Sequence, residues 1–319
     1  MSMSRRLVFR AFFAAVAGTG AGLAGMLPSA SAQGAGQPQS AGGSATSMAS
    51  SRPLRIVASF SILADMLHQL AGNAADVTAL VGPDADAHTF SPSPADVKRM
   101  AGADLVVVNG LGYEGWLDRL VAASGYKGKI IVATAGIVPR QLSGAPDPHA
   151  WQSLRNAQRY GENLTVALKA AAPAEAAAID VRSQDFLRHI EELDAHARAR
   201  FGAISQERRR VVTSHDAFGY FGAAYGIEFI APQGRSTDGE PSAAQVAAVI
   251  RQLREQRVKA VFLENMTDPR LVERIAQDGR AKVGGKLYAD ALSAPGTQAD
   301  TYLKMMAINI DELADAMQP

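Results

Sequence analysis

From residue 54 onward, short unbroken apolar runs alternate with longer stretches whose apolar residues recur every three or four positions. "LRIVASF" (54–60) reads as a strand and "SILADMLHQLAG" (61–72) as an amphipathic helix. "DVTALV" (76–81) is a strand, and "PADVKRMAGA" (94–103) a helix with Pro94 in its first turn. "DLVVVNG" (104–110), "EGWLDRLVAAS" (114–124) and "KIIVAT" (129–134) continue as strand, helix and strand. The strands are continuous apolar runs, the pattern of a parallel sheet covered on both faces.

A long helical region then breaks the rhythm. "SLRNAQRYGENLTVALKAAA" (153–172) is followed, after Pro173, by 174–204, which lacks glycine until Gly202 and would extend about 40 Å as one helix. That exceeds the needs of one lobe and predicts a stiff rod between two. The alternation restarts with strands at 209–215, 227–232, 258–265 and 285–290 and helices at 217–226, 242–256, 269–279 and 301–318. The expected fold is α/β: two Rossmann-like lobes with parallel sheets joined by one long rigid α-helix. The boundaries are 53–172 for the first lobe, 173–204 for the linking helix and 205–319 for the second lobe. The halves share element order without evident sequence similarity.

Composition refines this picture at the N-terminus. The chain has 319 residues, 47% hydrophobic and 20% charged, enough for two packed cores. "MSMSRRLVFR" is basic, "AFFAAVAGTGAGLAGML" apolar, and "SASA" ends in small residues at Ala30 and Ala32, the three regions of an export signal over 1–32. Ser4-Arg5-Arg6, followed by Phe9 and Arg10, fits a twin-arginine or a general secretory route. Residues 33–52, rich in Gly, Ser, Ala and Gln, read as a flexible leader. Without Arg5, Arg6 and Arg10, 29 of the 32 Lys and Arg face 31 Asp and Glu, a formal charge of −2. That excludes the basic field of a nucleic-acid binder. With no cysteine for a disulfide or a lipid, the expectation is a soluble monomer of the periplasm without a direct membrane anchor.

The histidines divide into two groups. His68, His189 and His196 lie within predicted helices and read as ordinary surface side chains. His88 follows the strand 76–81, His149 in "PDPHAW" follows the strand 129–134, and His215 ends the strand 209–215. Asp290 in "LYADAL" ends the last strand. Open α/β sheets place ligands beyond the carboxyl ends of their strands, and all four residues fall there. Three imidazoles and one carboxylate complete a tetrahedral set for zinc, and imidazole suits Zn²⁺ better than it suits manganese. Four protein ligands leave no position for an activated water, which points to holding a metal rather than hydrolysis with it. Asp84, Asp86, Asp147 and Asp216 neighbour these ligands and are candidates to orient an imidazole, or simply solvated loop carboxylates. Glu264 in "VFLEN" serves the same cleft or pairs with an arginine.

With those residues in place, the sequence resembles the zinc/manganese-binding solute-binding proteins of ABC transporters over nearly all of 54–319. The stretches that carry the resemblance are "GPDADAHTFSPSPADV", "DPHAWQSLRNAQRYGENLTVAL", "VVTSHDAFGYFGAAYGI" and "LYADALS…TYLKMMAINIDELADAM". The resemblance implies a metal held in the cleft between the lobes, with His88 and His149 from the first and His215 and Asp290 from the second. It also implies a membrane permease as partner. Manganese importers of this family commonly carry a glutamate where this chain has His215, so the chain resembles the zinc side. Residues 111–148 contain no histidine and no extended acidic run, a departure from zinc members that carry a His-rich loop.

The expected function is capture of Zn²⁺, alternatively Mn²⁺, for an importer. A secreted metallohydrolase is the rival reading, but the chain has no HExxH, no GxSxG elbow and no phosphate-binding glycine loop. A surface adhesin on the same fold is a second rival.

Overall fold

The computed structural model describes residues 52–318. The export signal and the leader up to residue 51 therefore lie outside the described residues.

The first sheet is four parallel strands, β1 (Leu54–Phe60), β2 (Ala75–Val81), β3 (Leu105–Val108) and β4 (Lys129–Val132), in the order β2-β1-β3-β4. Helices α1 (Ser61–Ala71), α2 (Pro94–Ala101) and α3 (Leu117–Ser124) make the crossovers. The "SPSPADV" stretch starts α2 with a capping box: the Ser93 hydroxyl accepts from Asp96 N, and the Asp96 carboxylate accepts from Ser93 N, with Pro94 at the first helical position. A hairpin that the apolar pattern does not announce follows β4. Its strands β5 (Gln141–Leu142) and β6 (Ala145–Pro146) span two residues each, too few to show a period. Ser143 (φ 52) and Gly144 (φ 79) turn the chain in the left-handed conformation that two-residue hairpins require.

Helix α4 (Leu154–Ala171) leads through a short turn to α5 (Ala176–Gly202), 27 residues and about 40 Å long. Ile179, Ser183, Phe186, Ile190, Ala197 and Phe201 form its one buried stripe, at intervals that keep to a single helix face. That stripe packs on α4 and α1 at one end. At the other it meets α6 (Gly219–Tyr225) and α9 (Tyr302–Met317), so the rod belongs to both lobes.

The second sheet holds β7 (Arg210–Val212), β8 (Glu228–Ile230), β9 (Ala260–Glu264) and β10 (Lys282–Leu287), parallel and in the order β10-β9-β7-β8. Counted from the first strand of each sheet, this is the strand order of the first sheet again. Helices α7 (Ala243–Glu255) and α8 (Pro269–Gly279) cover one face. Among the described residues no helix is long and apolar enough to cross a membrane.

Several strand ends depart from the sequence reading, in two strands with consequences for the candidate site. The strand predicted at 209–215 stops at Val212, and the one predicted at 285–290 runs from Lys282 to Leu287. "KVGGKL" has only two apolar side chains and a bulge between Val283 and Gly285, which hides its period. His215 and Asp290 therefore sit three residues past their strands, in loops, instead of ending them. The helix predicted from Glu114 starts at Leu117, because Glu114 is buried and faces inward.

Two apolar cores result. The smaller lies between β7–β9 and α7 and α8, around Val212, Val261, Leu253 and Ile275. The larger runs without a break from the first sheet through Trp151, Tyr160 and Phe186 to Phe218, Leu287 and Tyr302. Phe186 sits in that continuous core, whereas Val181 on the same helix is 63% exposed. Phe186→Ala is expected to destabilise the protein by about 3–5 kcal/mol, and Val181→Ala by roughly 0.5 kcal/mol or less. Urea titration followed by circular dichroism measures both.

Candidate metal centre

His88 stands in the loop after β2, and Asp86 fixes its backbone by accepting from His88 N at 2.9 Å. His149 caps a short 3₁₀ turn after the hairpin, and Asp147 repeats the device, accepting from His149 N at 3.1 Å. His215 follows β7 and Asp290 follows β10. The structure brings these four sequence-predicted residues together: one ligand atom from each lies within 4.8 Å of all the others. Asp290 Oδ2 is 3.2 Å from His88 Nε2 and 3.2 Å from His215 Nε2, and Asp290 Oδ1 is 3.7 Å from His149 Nε2. His88 Nε2 and His149 Nε2 are 3.3 Å apart. His149, His215 and Asp290 are fully buried, and the His88 side chain keeps 5% of its surface.

Two of the imidazoles are oriented by carboxylates on their far side. His149 Nδ1 lies 2.8 Å from Asp147 Oδ1, and His215 Nδ1 lies 2.5 Å from Glu264 Oε2. The other oxygen of Glu264 accepts from the backbone N–H groups of Ser214 and His215 at 2.8 and 3.1 Å. Each arrangement leaves Nδ1 engaged and turns Nε2 towards Asp290, the orientation that metal-binding imidazoles need. No arginine pairs with Glu264 among the described residues; its partner is His215. Asp216 touches no imidazole, and burial, with Asp147 nearby, raises its pKa. Asp84 and Asp86 act across the cleft, Asp84 accepting from Asn265 Nδ2 at 2.9 Å and Asp86 from Thr237 Oγ1 at 2.5 Å.

The electrostatics of the centre are dominated by one desolvated charge. Burial alone would raise the Asp290 pKa, but His215 and His149 beside it hold the carboxyl well below its usual range. Burial alone would lower the His215 pKa, but the carboxylates of Glu264 and Asp290 hold it well above the ordinary histidine value. Asp290 Oδ1 is buried with no hydrogen-bond partner among the described residues. A buried carboxylate oxygen without a donor, facing imidazole nitrogens, is an acceptor with room for a cation.

Several residues that position the centre carried no signal in the sequence. Glu114 accepts from Ser59 Oγ, Asn109 N and Gly110 N, while Asn109 Nδ2 donates to Pro148 O at 2.9 Å, beside His149. Trp151 Nε1 and Gln152 Nε2 donate to Ala289 O at 2.9 and 2.7 Å, locking the Asp290 loop onto the first lobe. Tyr113 sets its ring nearly perpendicular to His88, with centroids 4.8 Å apart. His68, His189 and His196 are exposed and stand apart from this cluster.

Known proteins share the fold of this chain. The family model described as "Zinc-uptake complex component A periplasmic" matches residues 56–316. The chain is similar to a protein named manganese-binding lipoprotein MntA from Halalkalibacterium halodurans, 31% identical over 83% of this chain and 88% of that protein. It is also similar to one named iron ABC transporter substrate-binding lipoprotein MtsA from Streptococcus pyogenes serotype M1, 30% identical over 85% of this chain and 91% of that protein. Among solved structures, the periplasmic zinc binding protein TroA from Treponema pallidum superposes with a TM-score of 0.81 at 27% identity, covering 84% of this chain and 100% of that one. Two similar lobes on one long helix, four converging ligands and a family match over both lobes lead to one conclusion: this chain belongs to the family of the periplasmic component A of zinc-uptake complexes.

Proposed function

We propose that the chain is a periplasmic solute-binding protein that captures Zn²⁺ with His88, His149, His215 and Asp290 and delivers it to the membrane permease of an ABC-type importer. The observation that carries this reading is the convergence of three imidazole nitrogens and one carboxylate oxygen within 4.8 Å. Kinship does not choose the metal, since the named relatives divide among manganese, iron and zinc. Donor chemistry supports zinc. Nitrogen ligands suit Zn²⁺, whereas Mn²⁺ favours oxygen. A set of four protein ligands also favours carriage over hydrolysis, because water has no position on the metal. Zinc is the cargo, and it would take the side of His215 Nε2 that faces Asp290, while Nδ1 stays with Glu264. The pattern of residues 1–32 and the family's periplasmic description support action outside the cytoplasm.

Four outcomes test the proposal. Competitive titration of metal-free protein is expected to show tighter binding of zinc than manganese, and stronger retention of manganese would overturn the choice of metal. Replacing Asp290 with alanine should abolish zinc binding, while Glu264→Gln, which leaves the ligands in place, should weaken it about 10–100-fold. The raised pKa of His215 sets the sign of the pH effect. Acid favours the protonated ring, so zinc affinity should fall from about pH 7.5 to about pH 5, because a protonated imidazole cannot ligate. Equal affinity at both values would exclude histidine ligation.

A further inference from the structure

The amino-terminal edge of the second sheet, the end away from His215 and Asp290, carries a feature that metal capture leaves unused. Helices α7 and α8 each return to the sheet through a left-handed residue, and in both turns it is an arginine, Arg257 (φ 54) and Arg280 (φ 59). Two residues later each turn presents a lysine, Lys259 just before β9 and Lys282 as the first residue of β10. Lys282 N donates to Lys259 O at 2.9 Å, so the two Arg-x-Lys turns lie side by side. The residues between them, Val258 and Ala281, pack into the smaller core and hold the turns in place.

Left-handed backbone favours glycine or asparagine at a helix end. Two neighbouring helices closing on arginine thus retain charge against local conformational preference. A cavity of 1180 Å³ opens here, walled by Arg257, Lys259, Arg280 and Lys282 together with Arg254 and Asp315. Arg254 is engaged by Asp278 O, and the Asp315 carboxylate by Arg200 at 2.6 Å. Among the described residues the other four cations have no carboxylate partner. They gather on a chain whose charge beyond residue 51 is formally −2, so the patch does not reflect general basicity. The five residues of β9 separate it from Glu264 by roughly 17 Å.

We propose that this concavity is an anion site for clustered phosphate groups, taken either from a soluble polyphosphate or from the head groups of an anionic lipid surface. Forked guanidinium donors and point-charged ammonium groups at short spacing are the recognition chemistry of phosphate oxygens. Four cations lacking carboxylate partners on one wall call for a ligand with several negative charges.

The test uses the full chain with tripolyphosphate in a calorimetric titration and, separately, with vesicles of phosphatidylglycerol and of phosphatidylcholine in a flotation assay. Saturable binding of tripolyphosphate, or selective flotation with phosphatidylglycerol, is expected and identifies the source. The double substitution Lys259→Gln and Lys282→Gln should weaken it about ten-fold or more, with zinc affinity unchanged. Arg280→Gly, which suits the left-handed backbone, should keep the thermal midpoint and still weaken binding. Absence of binding in both arms, or binding that all these variants retain, would overturn the proposal.

Discussion

A carboxylate taken wholly out of water must be answered by positive charge, and Asp290 sets that demand for the entire molecule. Its oxygens face His88, His149 and His215, and one of them lacks a hydrogen-bond donor among the described residues. His215, whose pKa Glu264 and Asp290 hold above the ordinary histidine value, faces that charge, and in the proposed function a divalent cation compensates it. The candidate centre is thereby a charge-compensation problem solved by residues from both lobes. Neither lobe alone supplies both the anion and enough nitrogen donors.

Such a site works only if the frame keeps its parts in register. The larger apolar core runs unbroken from the first sheet along α5 into α6, α9 and β10. Hydrogen bonds reinforce it at the centre. Trp151 and Gln152 hold Ala289, Tyr302 Oη donates to Trp151 O at 2.7 Å, and Asp65 accepts from Tyr302 N at 2.7 Å. Opening the lobes as a wide hinge would expose this apolar surface and strand those donors, each at a cost. The frame therefore favours adjustment of ligand loops over large domain swings. His88 keeps the most residual exposure of the four and, among the described residues, has no carboxylate on its Nδ1.

The two sheets repeat one strand order, although nothing in their sequences announces a repeat. In that common order His149 and Asp290 each follow the fourth strand of their sheet, whereas His88 follows the second strand of its sheet and His215 the first strand of the other. His149 with Asp147 and His215 lie in loops past strand carboxyl ends and Glu264 is the last residue of β9, at the end of the sheets where parallel strands leave backbone groups and space for ligands. The opposite edge of the second sheet is available for other chemistry, and its paired Arg-x-Lys turns lie there.

Local pattern was sufficient for much of this. Apolar runs placed the main strands, the three-to-four spacing placed the helices, and isolated polar residues after strands marked His88, His149, His215 and Asp290. These signals are local because strand burial and helix amphipathicity repeat within a few residues. The short β5–β6 hairpin and the glycine-bulged β10 escaped because neither is long or apolar enough to show a period. Glu264 was legible only as a strand-end carboxylate: an arginine or a histidine partner fitted the sequence equally, and the fold brought His215 across 49 positions to settle it. Asn109, Glu114 and Trp151 act through contacts with segments 39, 55 and 138 residues distant. The sequence by itself determined which elements form and which side chains have metal-binding chemistry. Only the tertiary structure decided which of them meet, because convergence depends on how two sheets pack on one helix, and that is a property of no single stretch of chain.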